Sequence, residues 1–83
     1  MLMMSMSKQW INIRELKVGD VVHEFKAGNA TTSIGRSQKV ATIADGFAFN
    51  EIERRIVNLR GTYTECLVTR AHLSGLFSSI RAQ

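Results

Sequence analysis

The sequence predicts an α+β domain: a small, curved, mostly antiparallel sheet carrying one central and one C-terminal helix. Three observations lead there. Short runs of β-branched and aromatic residues are separated by turn residues. One segment, "FAFNEIERRIVNLRG", spaces its apolar residues as a helix does. A second, "TRAHLSGLFSSIRAQ", does so again at the end of the chain. The element order read from these signals is β-β-loop-β-β-α-β-α.

At 83 residues the chain makes one domain. The first seven residues, with the methionine-rich "MLMMSMS", read as a disordered tail ahead of a domain over 8–83. In "WINIRELKVGDVVHEF", Trp10, Ile11 and Ile13 lead a first strand, "KVGD" supplies a turn, and Val21, Val22 and Phe25 belong to a second strand. The piece "LKVGDVV" resembles the entry turn of small β-barrels, which makes the expected sheet SH3-like or a partial barrel.

Residues 26–39, "KAGNATTSIGRSQK", read as a flexible basic loop. They hold no acid, one large aliphatic residue (Ile34) and three cations, Lys26, Arg36 and Lys39. Unstructured loops of this length are uncommon in compact domains and tend to be functional or disordered. In "QKVATIAD", Val40, Thr42 and Ala44 alternate as in a strand; Asp45-Gly46 offers a two-residue turn and "FAF" a returning strand. In the central helix, Phe49, Ile52, Ile56 and Leu59 would share one face, Asn50 and Glu53 would form the cap, and Gly61 would end it. "TYTECLVT" reads as the last strand, and Leu73, Leu76, Phe77 and Ile80 as the apolar face of the second helix.

Composition narrows the function. Eleven Lys and Arg oppose seven Asp and Glu, a net charge of +4, and the pI is near 9.9. That balance favours a phosphate-bearing or acidic partner. The single cysteine, Cys66, permits no internal disulfide and suits a reducing cytoplasm. Neither a secretory signal nor an apolar run long enough to span a membrane is visible.

Enzymatic motifs are lacking. Cys66 and His72 are the closest thiol–imidazole pair, but strand and helix would hold them apart, and His23 reads as a partly buried sheet residue. Two histidines and one cysteine match no zinc spacing, and "GNATTSIGRS" lacks the Lys-Ser/Thr of a phosphate-binding loop. The sequence therefore predicts no enzyme, no metal and no cofactor.

The basic side chains predict a small nucleic-acid-binding or nucleic-acid-associated accessory protein, contacting DNA or RNA phosphates with little regard to sequence. The candidate residues are Lys26, Arg36 and Lys39 of the loop, Arg54 and Arg55 of the first helix, and Arg60 and Arg70 flanking the last strand. Base stacking is not expected, because Trp10, Phe25, Phe47, Phe49 and Tyr63 look committed to the core. The alternative is a protein-interaction module, a small inhibitor or regulator of the phage or mobile-element type. It would dock on a larger host enzyme, or form a homodimer, through Leu73, Leu76, Phe77 and Ile80.

Overall fold

The structure, a computed structural model, describes residues 2–75, with side chains from Met6 to Ala71. Seven strands run in chain order: β1 Leu2–Asn12, β2 Val21–Ala27, β3 Ala30–Lys39, β4 Thr42–Ala44, β5 Phe47–Phe49, β6 Arg55–Asn58 and β7 Glu65–Gly75. A single 3-10 turn, Ile13–Glu15, follows β1. Four strands form one sheet in the order β1-β7-β2-β3, and β4-β5-β6 form another. Every pairing is antiparallel. The two sheets share one core: Ile11, Val22, Phe25, Cys66 and Val68 from the larger, Ala48 and Val57 from the smaller, and Ile13, Leu16 and Val40 from the connections.

The predicted α+β fold is thus corrected to an all-β one, with no α-helix among the described residues. The expected central helix is a hairpin. Phe49 ends β5, Arg55 begins β6, and Asn50 closes the loop between them: its N–H donates to the Arg54 carbonyl at 2.9 Å and its carbonyl accepts from Glu53 N–H at 3.0 Å. The Asn50 carboxamide oxygen accepts from the N–H groups of Ile52 (3.1 Å) and Arg54 (2.9 Å), so the supposed cap residue organises a turn instead. Glu53 stands at φ 62, the left-handed position of a three-residue hairpin loop. Ile52, expected on a buried helical face, is 69% exposed at the tip.

The second helix is corrected as well. Thr69–Gly75 continue β7 and pair with Lys8–Leu2 of β1; Leu73 lies opposite Met4 on that ladder. Leu76, Phe77 and Ile80 lie outside the described residues. The ladder also takes up the segment read as a tail, since Leu2–Ser7 pair residue for residue with Gly75–Arg70.

Residues 26–39 form a hairpin with β2. Ala27 faces Ala30 across a two-residue turn, Gly28-Asn29, and Gly28 takes φ +63 as such turns require. Farther along, Glu24 pairs with Ser33 and Val22 with Gln38, so residues 34–37 bulge outward opposite His23 alone. The bulge turns Ile34 toward the core and leaves Arg36 exposed. The Asp45-Gly46 turn is present between β4 and β5, with both residues at positive φ, 53 and 80.

Candidate nucleic-acid interface

Strand alternation decides which side chains share a surface, because successive residues point to opposite faces. In the four-stranded sheet, Ile11, Cys66, Val68, Val22 and Phe25 turn inward. Their neighbours therefore form an outer face of three cross-strand rows: Lys8, Thr69, Val21, Lys39; then Trp10, Leu67, Glu24, Ser33; then Asn12, Glu65, Lys26, Thr31. Trp10 stands on the edge strand β1, 38% exposed, and the Lys26 ammonium reaches across the face to 4.7 Å from its ring centroid. The expectation that Trp10 belongs to the core is corrected. Ile11 and Ile13 take the inward positions, and period two then sends Trp10 outward.

His23 sits at the bulge on this face. Its Nδ1 lies 2.6 Å from Ser37 Oγ and its Nε2 2.6 Å from Thr69 Oγ1. The neutral ring donates to one hydroxyl and accepts from the other. Burial, then the Lys8 ammonium, lower its pKa, and Glu24 opposes them. No carboxylate is hydrogen-bonded to the ring among the described residues. The pair Cys66 and His72 stands six residues apart on β7, about 20 Å along an extended chain. Burial, with the Asp20 charge adding to it, pushes the Cys66 thiol up to about 12.

The predicted cations are divided among several places. Lys26 and Lys39 share the outer face, and Arg36 projects from the β3 bulge. Arg54 is exposed in the β5–β6 hairpin, and Arg55 lays its guanidinium over the Phe47 ring at 4.0 Å. Arg60 lines a groove with Arg14. Arg70 turns inward: its Nε and Nη2 donate to the two carboxylate oxygens of Asp20 at 2.8 and 2.7 Å, and Nη2 also reaches the Glu15 carbonyl at 3.2 Å. Asp20 is only 2% exposed. Burial acts to raise its pKa, but the Arg70 hydrogen bonds, the Lys17 N–H and both positive charges outweigh burial and hold the carboxyl below its ordinary range. This is the sole ion pair among the described residues, and it ties the turn before β2 to β7.

Sequence reasoning missed Lys8, Trp10 and Arg14. The signal for Trp10 was present in "WINI", where two isoleucines at alternate positions leave the tryptophan on the other face. Among the described residues no cluster of His, Cys, Asp or Glu is suited to a metal, and no helix is long and apolar enough to cross a membrane. Comparisons with protein-family models, curated proteins and solved structures give no match.

Proposed function

We propose that the protein binds single-stranded nucleic acid across the outer face of its four-stranded sheet. The observation that carries this reading is the exposed Trp10 ring on the β1 edge strand of that face, with Lys26 across it and Lys8 two residues away on β1. Aromatic platforms beside cations hold single strands because every base has a π-face and every nucleotide a phosphate. Duplex bases are already stacked and cannot reach such a ring. On binding, a base takes the place of the Lys26 ammonium on the indole, and the ammonium moves to the neighbouring phosphate. Lys8 and Lys39 close one row of the face, and the hydroxyls of Thr69, Thr31 and Ser33 contact sugar and phosphate oxygens. Glu24 and Glu65 also lie on the face, so its net charge is small and affinity leans on stacking.

Fluorescence anisotropy of labelled single strands and duplexes over a salt series tests this. Three lysines neutralising three phosphates give a slope of log affinity against log salt near −2. Trp10→Ala weakens single-strand binding by about 5- to 150-fold, from the ~1–3 kcal/mol of one stacked base. Equal affinity for duplex and single strand, unchanged by Trp10→Ala, refutes the reading.

A second reading, docking on a protein, is favoured by the outer edge of β1. That strand has eleven residues, no proline and no register shift, and pairs on one side only among the described residues. Strand addition there would join a partner or a second copy of the chain by backbone hydrogen bonds. Sedimentation at low and high salt separates the two readings, because backbone pairing survives salt that strips phosphate contacts.

A further inference from the structure

Two arginines that take no part in the sheet face line one groove. Arg14, Gly46, Leu59 and Arg60 line a space of about 330 Å³. A smaller extension, sharing Arg14 and Leu59, runs past Tyr63 toward Asn12 at the end of β1. The two arginines are held alike. In "NIR", the Asn12 carboxamide oxygen accepts from the Arg14 N–H at 2.9 Å; in "NLR", Asn58 does the same for Arg60 at 2.9 Å. Each Asn-aliphatic-Arg unit buries or half-buries its middle residue, Ile13 or Leu59, and so fixes the arginine at the groove's rim. The Arg60 side chain lies across the β4–β5 turn, its Nε within 3.5 Å of where a Cβ on Gly46 would stand.

Neither guanidinium makes a hydrogen bond or an ion pair with any described residue, in contrast to Arg70, and no carboxylate lines the space. Glu15 and Asp45 adjoin Arg14 and Gly46 in sequence without lining the groove. Two unneutralised guanidiniums lining one space of this size suit a tetrahedral dianion, which can accept paired hydrogen bonds from both.

We propose that this groove is a phosphate-monoester site, separate from the Trp10 face, in which Arg14 and Arg60 clamp a terminal phosphate. Internal phosphodiesters carry one charge and are flanked by sugars on both sides; a terminal monoester carries nearly two charges and enters end-on. The monoester has two natural sources, the phosphorylated end of a nucleic acid and a free nucleotide. The extension toward Asn12 leads back to the row that holds Lys26, which favours the end of a strand already lying on the sheet. That choice of source rests on the proposed function, whereas the site itself does not.

The test compares one oligonucleotide carrying a 5′-phosphate, a 3′-phosphate or neither, with adenosine monophosphate and inorganic phosphate titrated in parallel by calorimetry. A terminal phosphate strengthens oligonucleotide binding by about tenfold, and Arg14→Ala or Arg60→Ala abolishes that difference while leaving the phosphate-free oligonucleotide unchanged. Both residues sit on the surface, and the circular dichroism of the variants should match the parent. If the oligonucleotides bind alike but adenosine monophosphate binds and depends on both arginines, the site stands and its ligand is a free nucleotide. Indifference to every terminal phosphate, with no binding of the mononucleotide, overturns the site and leaves the Trp10 reading untouched. Failure of all oligonucleotides with retained mononucleotide binding does the reverse.

Discussion

Arg70→Ala separates a structural cation from a binding one. In the folded protein the Asp20 carboxylate accepts three hydrogen bonds, two from Arg70 and one from Lys17 N–H. Removing Arg70 leaves a carboxylate at 3% side-chain exposure with one partner. Breaking a buried pair from one side costs about 3–5 kcal/mol. The Arg70 side chain is 24% exposed and water can partly replace it, so the lower end, about 3 kcal/mol, applies. For a domain of this size that lowers the melting temperature by roughly 12–24 °C. Urea unfolding and calorimetry measure both quantities.

The acid limb supplies an independent check. The folded pKa of Asp20 is depressed, so the stabilisation is complete above the unfolded value, about 4, and is lost as pH falls through the folded value. In Arg70→Ala the Arg70 hydrogen bonds and charge are gone while burial and the Lys17 N–H remain, so the folded pKa rises and the loss of stability through the acid limb shrinks. Arg70→Lys recovers part of the stability but cannot present a two-pronged donor. If it folds, it should bind single strands as the parent does. A loss under 1 kcal/mol with an unchanged acid limb would refute this account of the pair.

Two further perturbations address the β5–β6 hairpin and the core. Glu53 holds a left-handed conformation that costs a side-chain-bearing residue about 1–2 kcal/mol. Glu53→Gly should therefore stabilise the protein by about 1 kcal/mol in urea unfolding, whereas a helix over this segment would be weakened by the same change. Cys66 is fully buried, with its thiol pushed up to about 12. A thiol reagent at pH 8 should modify it only at the rate of unfolding, and rapid modification of the folded protein would contradict its burial.

How much of this was legible follows from where each signal resides. The Asp45-Gly46 hairpin was readable because both turn residues announce positive φ locally. The Gly28-Asn29 turn takes positive φ at Gly28 alone and lay inside the stretch read as a loop, because the polar run after it hid a strand whose bulge interrupts any alternation. The helical spacing of Phe49, Ile52, Ile56 and Leu59 was coincidental. Asn50 makes a turn within it, and the adjacent β-branched pair Ile56-Val57 suits a short strand better than a helix. The β1–β7 ladder joins residues up to 73 positions apart, from Leu2 to Gly75, and no local pattern reveals such a pairing.

The same distance rule governs the site. Lys26 and Lys39 were visible as cations, but their common face depends on register. Arg70 looked available because Asp20 lies 50 residues away in sequence. Arg14 and Arg60 stand near one another only because the connections after β1 and β6 meet beside the β4–β5 turn.

The central claim concerns one side chain, and Trp10 is the only tryptophan in the chain. The most direct measurement is therefore its fluorescence during titration with an unlabelled single strand at low salt. Stacking of a base on the exposed indole predicts saturable quenching, with a midpoint that moves to higher concentration as salt rises, and little change with a duplex of the same sequence. Oligonucleotide binding detected by anisotropy while the Trp10 emission stays constant would place the strand elsewhere and contradict the account.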